Sequence, residues 1–292
     1  MSDQTRQVHF WNAIQYCDPR ILYALFAVVV LVFEIYKPKL PVPVPEPVQM
    51  LYRKIEDLPE DKIVLIDSDF GAGNRAECQG QYVSVVRHLF SRNIKFAVIA
   101  WTQNPEGQKF GFSLADTIAG EMGKEYGKDY CVLQALTATG GATIQALAKD
   151  IHGVAKKDIN NTPLSEVPMM EHVHDISDVS LIYRVTYTWD GIPWIGFVQS
   201  VYGTPLAVGT AGITSSTTYP FLDSGQLCGM LSGAAGAAAY ERLVIKAGLT
   251  TRTGMGTKTV SVQSFATIYV VVAIILGNIA MFSAKWYAKR RI

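Results

Sequence analysis

Two carboxylates one residue apart, Asp67 and Asp69, close the apolar run in IVLIDSDFGAGN. At the carboxyl end of a strand such a pair could form a catalytic site at the mouth of a sheet, where ligands of open α/β sheets bind. Thr102, which follows FAVIAW at the end of a second strand, and Lys128 are further polar candidates. The competing reading is structural: the acids cap the turn at 71–75 and the start of the helix after it.

The strand ending in Asp67-x-Asp69 and the second strand ending in Thr102 resemble the first two motifs of haloacid-dehalogenase-type phosphotransferases. The resemblance implies that Asp67 is a nucleophile, Asp69 an acid/base and magnesium the cofactor bridging carboxylate and phosphate, with Lys128 as a phosphate-side cation, and it stops early. Asp175 and Asp178, in HDISD, precede a strand where the metal-binding acids of that family follow one. Other constellations are weaker. GAGN has Gly71 and Gly73 but no third glycine and no acid at the end of the second strand, so it is not a dinucleotide fingerprint. TATGGAT, 137–143, offers a glycine-rich strand exit that could hold an anion or form a plain turn. His172 and His174 share a face if extended and could ligate metal with Asp175, but no third ligand has partnering spacing. GxSxG is absent, which removes nucleophile-elbow hydrolases. The sequence therefore predicts no metal and no catalytic set with all its parts.

The elements that would carry these residues alternate. Strands are expected at 63–67, 96–101, 131–136, 179–187 and 206–209, and helices at 75–90, 114–126, 142–151 and 226–247. Cys78, Tyr82, Val85, Val86 and Leu89 give the first helix an apolar stripe. Short strands that are apolar throughout, alternating with helices, predict a parallel sheet covered on both faces: a doubly wound, Rossmann-like α/β domain over 55–250. In the last expected helix Gly225, Gly229, Gly233 and Ala237 recur every four residues, a small-residue face for close packing on the domain's own sheet or on a neighbouring subunit.

With 49% hydrophobic and 17% charged residues, the chain carries more apolar sequence than an α/β domain uses. Two segments hold the excess. Residues 265–284 have spanning length, and 21–36 reach it if Glu34 sits at the interface and flanking lysines snorkel. A cleaved signal peptide would explain 21–36, but the mostly polar residues ahead of it and the lack of a cleavage site argue for an anchor. The expected order is a tail at 1–20, a transmembrane helix at 21–36, a proline-rich linker at 37–54, the α/β domain, a linker at 251–264, a transmembrane helix at 265–284 and a basic tail at 285–292. Lys285, Lys289, Arg290 and Arg291 place the tail in the cytoplasm, with Trp286 and Tyr287 at the interface, and the α/β domain outside; Lys37 and Lys39 oppose this. A formal charge of +1 leaves no basic excess for nucleic acid. Cys17, Cys78, Cys131 and Cys228 lack metal-like spacing and do not decide the compartment; three of them lie in apolar or small-residue surroundings and read as buried free thiols.

The phrases YGKDY (126–130), VPMMEHVHDISDVSLI (167–182) and YPFLDSGQLCGMLSGAAGAAAYERL (219–243) resemble an uncharacterised family of prokaryotic membrane-anchored α/β proteins. The similarity covers about 55–243 and brings no catalytic role with it. Two departures stand out: Asp67-Ser68-Asp69-Phe70 where the family tends to Asp-Tyr-Asp-Pro, and Ala239 where it tends to glutamate. The leading expectation is a non-enzymatic scaffolding subunit of a lateral membrane oligomer, its partners the bilayer and either copies of itself or paralogous membrane proteins. The alternatives are the magnesium-dependent phosphotransferase and an extracytoplasmic small-ligand sensor with a pocket near Asp69, Thr102 and Thr139.

Overall fold

The computed structural model describes residues 10–36, 42–137, 140–188, 191–250 and 254–289. It divides into two compact units, 41–259 and the pair 1–40 with 260–292.

The larger unit is an α/β domain. Its strands are β1 (Ile63–Asp69), β2 (Phe96–Ile99), β3 (Tyr130–Val132), β4 (Val179–Thr186), β5 (Leu206–Thr210) and β6 (Met230–Ser232). They form one sheet in the order β3-β2-β1-β4-β5-β6, with every neighbouring pair parallel. Period-2 alternation sorts the side chains onto two cores. Val64 and Ile66 face one cluster, and Ile63 and Leu65 the other. The first core is closed by α2 (Glu46–Glu56), α3 (Arg75–Ser91), α4 (Pro105–Met122) and α7 (Gly233–Lys246). The second is closed by α5 (Gly141–Lys149), by the segment 192–202 and by α6 (Ser215–Asp223).

Several boundaries differ from the sequence reading. Helix α4 starts at Pro105, not 114, because Asn104 ends the preceding turn and Pro105 sits favourably at the first helical position. Its glycines, which weaken the helical signal, serve contact instead: a Cβ on Gly107 would lie 2.2 Å from the Ser68 carbonyl oxygen. The expected linker 37–54 contains α2, which opens on Glu46-Pro47 and buries Val48, Leu51 and Ile55; residues 37–41 lie outside those described.

The expected helix 226–247 is the main correction. That stretch holds a turn, strand β6 and only then α7, so Gly225, Gly229, Gly233 and Ala237 do not share a helix face. Gly225 has φ +77° in the turn and Gly233 has φ +54° at the strand-to-helix corner, a region L side chains avoid. Gly229 meets α2, where an added Cβ would approach Leu51 backbone atoms at 2.6 Å. Ala237 alone packs from a helix, against Gly80 and Gly256. The close contacts of Gly229, Gly233 and Ala237 are made to different elements of the domain, and a Cβ on Gly225 would meet nothing within 4 Å.

The smaller unit contains α1 (Pro19–Tyr36) and most of α8 (Met255–Lys289). Both are long and apolar enough to cross a membrane. They run antiparallel: Tyr269 donates its hydroxyl to the Leu22 carbonyl at 2.7 Å, and Phe33 stacks on Phe265 with centroids 3.6 Å apart. Much of the expected linker 251–264 is therefore helix, while 251–253 lie outside the described residues. The start of α8 is fixed within the α/β domain by Glu241 of α7, which accepts from the backbone N–H of Gly256 and of Thr257, each at 2.9 Å, and from the Thr257 hydroxyl at 2.6 Å. A side chain thereby satisfies helix N–H groups that have no partner within the helix.

Candidate functional site

Strand β1 lies between β2 and β4, and chain order reverses at the β1/β4 boundary. In open α/β sheets the crevice beyond the carboxyl ends of such strands is where ligands bind. The ladder register sets Asp67 beside Arg184 and Asp69 beside Thr186. All four continue the row of Ile63, Leu65 and Ile182, so they face the second core, where Trp101 and Trp194 are also buried.

The geometry is closed. Asp67 is fully buried. Its Oδ1 accepts from Trp101 Nε1 at 2.8 Å, and its Oδ2 accepts from Trp194 Nε1 at 2.9 Å and from Arg184 Nη1. The same guanidinium donates through Nη2 to Asp69 Oδ2 at 2.7 Å. Asp69 also accepts from Asn104 Nδ2 at 2.9 Å and from the Thr186 hydroxyl at 3.4 Å. Burial pushes the Asp67 carboxyl above its ordinary range, Arg184 pulls it down, and Asp69 pushes it up again. Every neighbour hydrogen-bonded to Asp67 is a donor without acceptor capacity, so the site is built around the carboxylate form.

This arrangement does not fit magnesium. Arg184 lies between the two carboxylates, where a bridging cation would be held, and it neutralises one of their two charges. Nor is Asp67 placed as a nucleophile, since both of its oxygens are committed to N–H donors and the side chain is fully buried. Lys128 sits in the turn before β3, at the opposite end of the parallel sheet, and pairs with Glu125. Thr102 lies near the strand ends, but its hydroxyl meets Gln103 at 3.5 Å rather than an acid. Thr139 lies outside the described residues.

The turn after β1 is not capped by Asp67 or Asp69. Asn74 accepts from the Gly71 N–H at 2.8 Å, and Glu106 of α4 accepts from the Ala72 N–H at 2.8 Å. A comparable contact ends β5, where Glu77 accepts from the Gly212 N–H at 2.6 Å. The N–H groups of Gly71, Ala72 and Gly212 at these two turns are thus met by the domain's own side chains, one amide and two carboxylates.

His172 and His174 do not assemble a metal centre, and no group of three or more potential metal ligands occurs among the described residues. His174 lies near His152, with ring centroids 5.8 Å apart, and Asp175 and Asp178 cap the short turn before β4. All four cysteines are free thiols, Cys78 and Cys131 fully buried. Burial pushes the Cys78 thiol up to about 12, so it is not a nucleophile near neutral pH.

A second polar cluster lies at the amino end of the sheet. His88 of α3 is fully buried, with Nδ1 2.7 Å from the Tyr240 hydroxyl and Nε2 2.7 Å from Glu56 Oε1. The carboxylate can only accept, so Nε2 carries the proton and Nδ1 accepts from Tyr240. Burial holds the imidazole below its ordinary value of 6.5, partly offset by Glu56. The cluster ties α2, α3 and α7 together.

Sequence reasoning missed Arg184, Trp101, Trp194 and His88. Arg184 had a signal: one cation inside the otherwise uncharged strand VSLIYRVT must be paired when that strand is buried. The tryptophans had none, because their partner is distant in sequence. Comparison of the chain with protein-family models, with curated proteins and with solved structures finds no match.

Proposed function

We propose that this chain is a two-pass membrane protein whose Rossmann-like, doubly wound domain is a non-enzymatic scaffolding subunit of a lateral membrane oligomer. The observation that carries the proposal is the closed crevice: at the β1/β4 strand ends, Arg184, Trp101 and Trp194 take up the hydrogen-bonding capacity of Asp67. The strand order 3-2-1-4-5-6 is that of nucleotide-binding sheets. Fold alone does not bring that function with it, and here the position is used to lock β1 against β4.

Anchoring is supported by the two apolar helices, and the antiparallel pairing of α1 with α8 suits a hairpin with both ends on one side of a bilayer. The basic residues at the end of the chain, Lys285 and Lys289 within α8 and Arg290 and Arg291 after it, argue for that side being the cytoplasm and for an extracytoplasmic domain. The resemblance carried by YGKDY and SGQL favours the same anchored α/β architecture. Light scattering and electron microscopy of the detergent-solubilised full chain should find assemblies larger than one protomer; a uniform population of monomers would overturn the proposal. Labelling of single cysteines placed before α1 and after α8, in intact cells, tests the topology.

A further inference from the structure

The smaller unit holds a groove of its own. Residues 10–15 form a short helix ahead of α1, and the segment 10–17, α1 and α8 enclose a cavity of about 460 Å³. Its apolar walls include Leu22 and Leu25 of α1 and Val272, Ala273 and Leu276 of α8, all within the two candidate spans. Leu22, Leu25, Val272 and Leu276 are 39% to 50% exposed, so the cavity opens on the flank of the helix pair. Ala273 and Gly277 stand four residues apart on one side of α8 and keep that wall low; a Cβ on Gly277 would meet nothing within 4 Å.

One end of the groove differs from the rest. Gln15 and Cys17 line it, and Asp18 accepts from the Arg20 N–H at 2.8 Å where α1 begins. Aromatic residues collect at the same end: Phe10 lines the groove, edge-on to Trp11 with centroids 5.2 Å apart, and Tyr16 is exposed. Trp and Tyr mark the boundary between bilayer and water, and Pro19 opens the first candidate span. Among the described residues, the Gln15 side-chain amide and the Arg20 guanidinium have no hydrogen-bond or ion-pair partner. The Tyr269 hydroxyl, the other polar group on the walls, is already donated to the Leu22 carbonyl.

We infer that this groove holds one acyl chain of a phospholipid, drawn from the leaflet at the start of α1, with the lipid phosphate at Arg20. A bilayer core contains no water, and protein surfaces pack without large voids, so hydrocarbon is what fills a groove between spanning helices. Size decides against a helix from a second copy. A helix about 10 Å across with a pitch of about 5.4 Å takes up roughly 400 Å³ per turn, so the groove admits about one turn and no spanning segment. A flexible chain has no such width, and the volume falls within the range of about 300–1,000 Å³ usual for small-molecule pockets. The polar end fits the rest of an amphiphile: the Gln15 amide can donate to ester oxygens, and a guanidinium pairs with phosphate. Basic positions beside spanning helices hold lipid headgroups in the same way. The inference rests on the membrane anchoring proposed above and not on the oligomeric role.

The test is native mass spectrometry of the full chain extracted from membranes in mild detergent, with bound lipid read per protomer. Wild type should retain about one phospholipid per protomer, one chain of which the groove holds. Three probes are then added to the delipidated protein: dioleoyl phosphatidylglycerol, dioleoylglycerol with the same chains and no phosphate, and oleate. The phospholipid should bind about tenfold more tightly than either of the others, the effect of one charged hydrogen bond. Arg20→Gln should abolish that preference. Ala273→Leu with Gly277→Leu fills the groove with apolar side chains and should lower phospholipid retention about tenfold. Val271→Phe, on the opposite side of α8, should leave retention unchanged. If the double variant is not recovered from membranes, the Arg20→Gln arm decides. Equal retention in wild type and the filled variant, or an unchanged phosphate preference in Arg20→Gln, would overturn this site and leave anchoring standing. A smaller oligomer in the filled variant with lipid unchanged would put a second copy in the groove and overturn it equally. Release of the chain from membranes by alkaline carbonate would overturn anchoring, and this inference with it.

Discussion

Asp67 and Arg184 are register partners on β1 and β4, and the guanidinium of Arg184 reaches Asp67 with one terminal nitrogen and Asp69 with the other. A fork spanning two carboxylates makes the acids a structural clamp at the point where strand order reverses. The two indole N–H groups on Asp67 add fixed donors in a region without water contact. The pair of acids that looks like a phosphotransferase motif in sequence is thus explained by the need to pair one buried arginine.

The clamp predicts an asymmetric response to mutation. Arg184→Met leaves two carboxylates facing each other in the core and should destabilise the domain by about 3–5 kcal/mol, the range for breaking one side of a buried ion pair. Adding Asp67→Asn should recover part of that loss, because the group left unpaired is then neutral. Trp101 and Trp194 donate to Asp67 and are two of the chain's five tryptophans, so intrinsic fluorescence during thermal unfolding of the solubilised protein includes a signal from the site. Additive losses in the double variant would show that the pair does not act as a unit.

The fold was legible where local pattern and tertiary role agree. Strands β1, β4 and β5 and helix α3 read correctly to within two residues, because each is apolar in a run or stripe that its neighbours also bury. Residues 225–237 misled because a four-residue glycine repeat imitates a helical face, whereas Gly225 and Gly233 have positive φ and strand β6 exists only through pairing with β5. The acids were found and their meaning was not. Asp67 and Asp69 are one residue apart in sequence, but Arg184 lies far along the chain, and only the parallel register of β1 and β4 brings it there.

Glycine contacts between α4 and β1 give a second prediction. Gly107→Ala places a Cβ 2.2 Å from a strand carbonyl that cannot move without disturbing the sheet. It should cost at least about 1–3 kcal/mol, as overpacking does. Gly73→Ala, with nothing within 4 Å of the new Cβ and no positive φ, should be neutral or slightly stabilising. Melting temperatures of the two variants side by side check this; equal losses would refute the contact.

His88 sets a pH dependence. Its folded value lies below 6.5, so the unfolded chain takes up a proton that the folded one resists, and stability falls as pH drops below about 6.5. Burial alone would raise Glu56, but the hydrogen bonds from His88 and Tyr52 outweigh it and leave the carboxyl below its ordinary 4.5, which adds a further loss below that pH. The histidine contributes at most about 1.4 kcal/mol per pH unit. His88→Gln should melt lower than wild type at pH 7 and show a flatter decline between pH 7 and pH 5. Parallel declines would show that another group governs this range.

Glu241 links α7 to the first turn of α8, and its removal separates helix capping from general packing. Burial pushes its carboxyl above the ordinary 4.5, against the opposing pull of the Thr257 and Gly256 donors. Glu241→Ala would leave the N–H groups of Gly256 and Thr257 without this acceptor, a loss of about 1–3 kcal/mol for buried groups. Glu241→Gln keeps one carbonyl oxygen of nearly the same reach and should lose less. Amide hydrogen exchange of the solubilised chain provides the local readout. Exchange at 256 and 257 should accelerate in the alanine variant well before the strands of the sheet respond, because frayed helix ends open independently of the global transition. Uniform acceleration across α8 and the sheet would mean that Glu241 supports the whole domain and not the start of one helix.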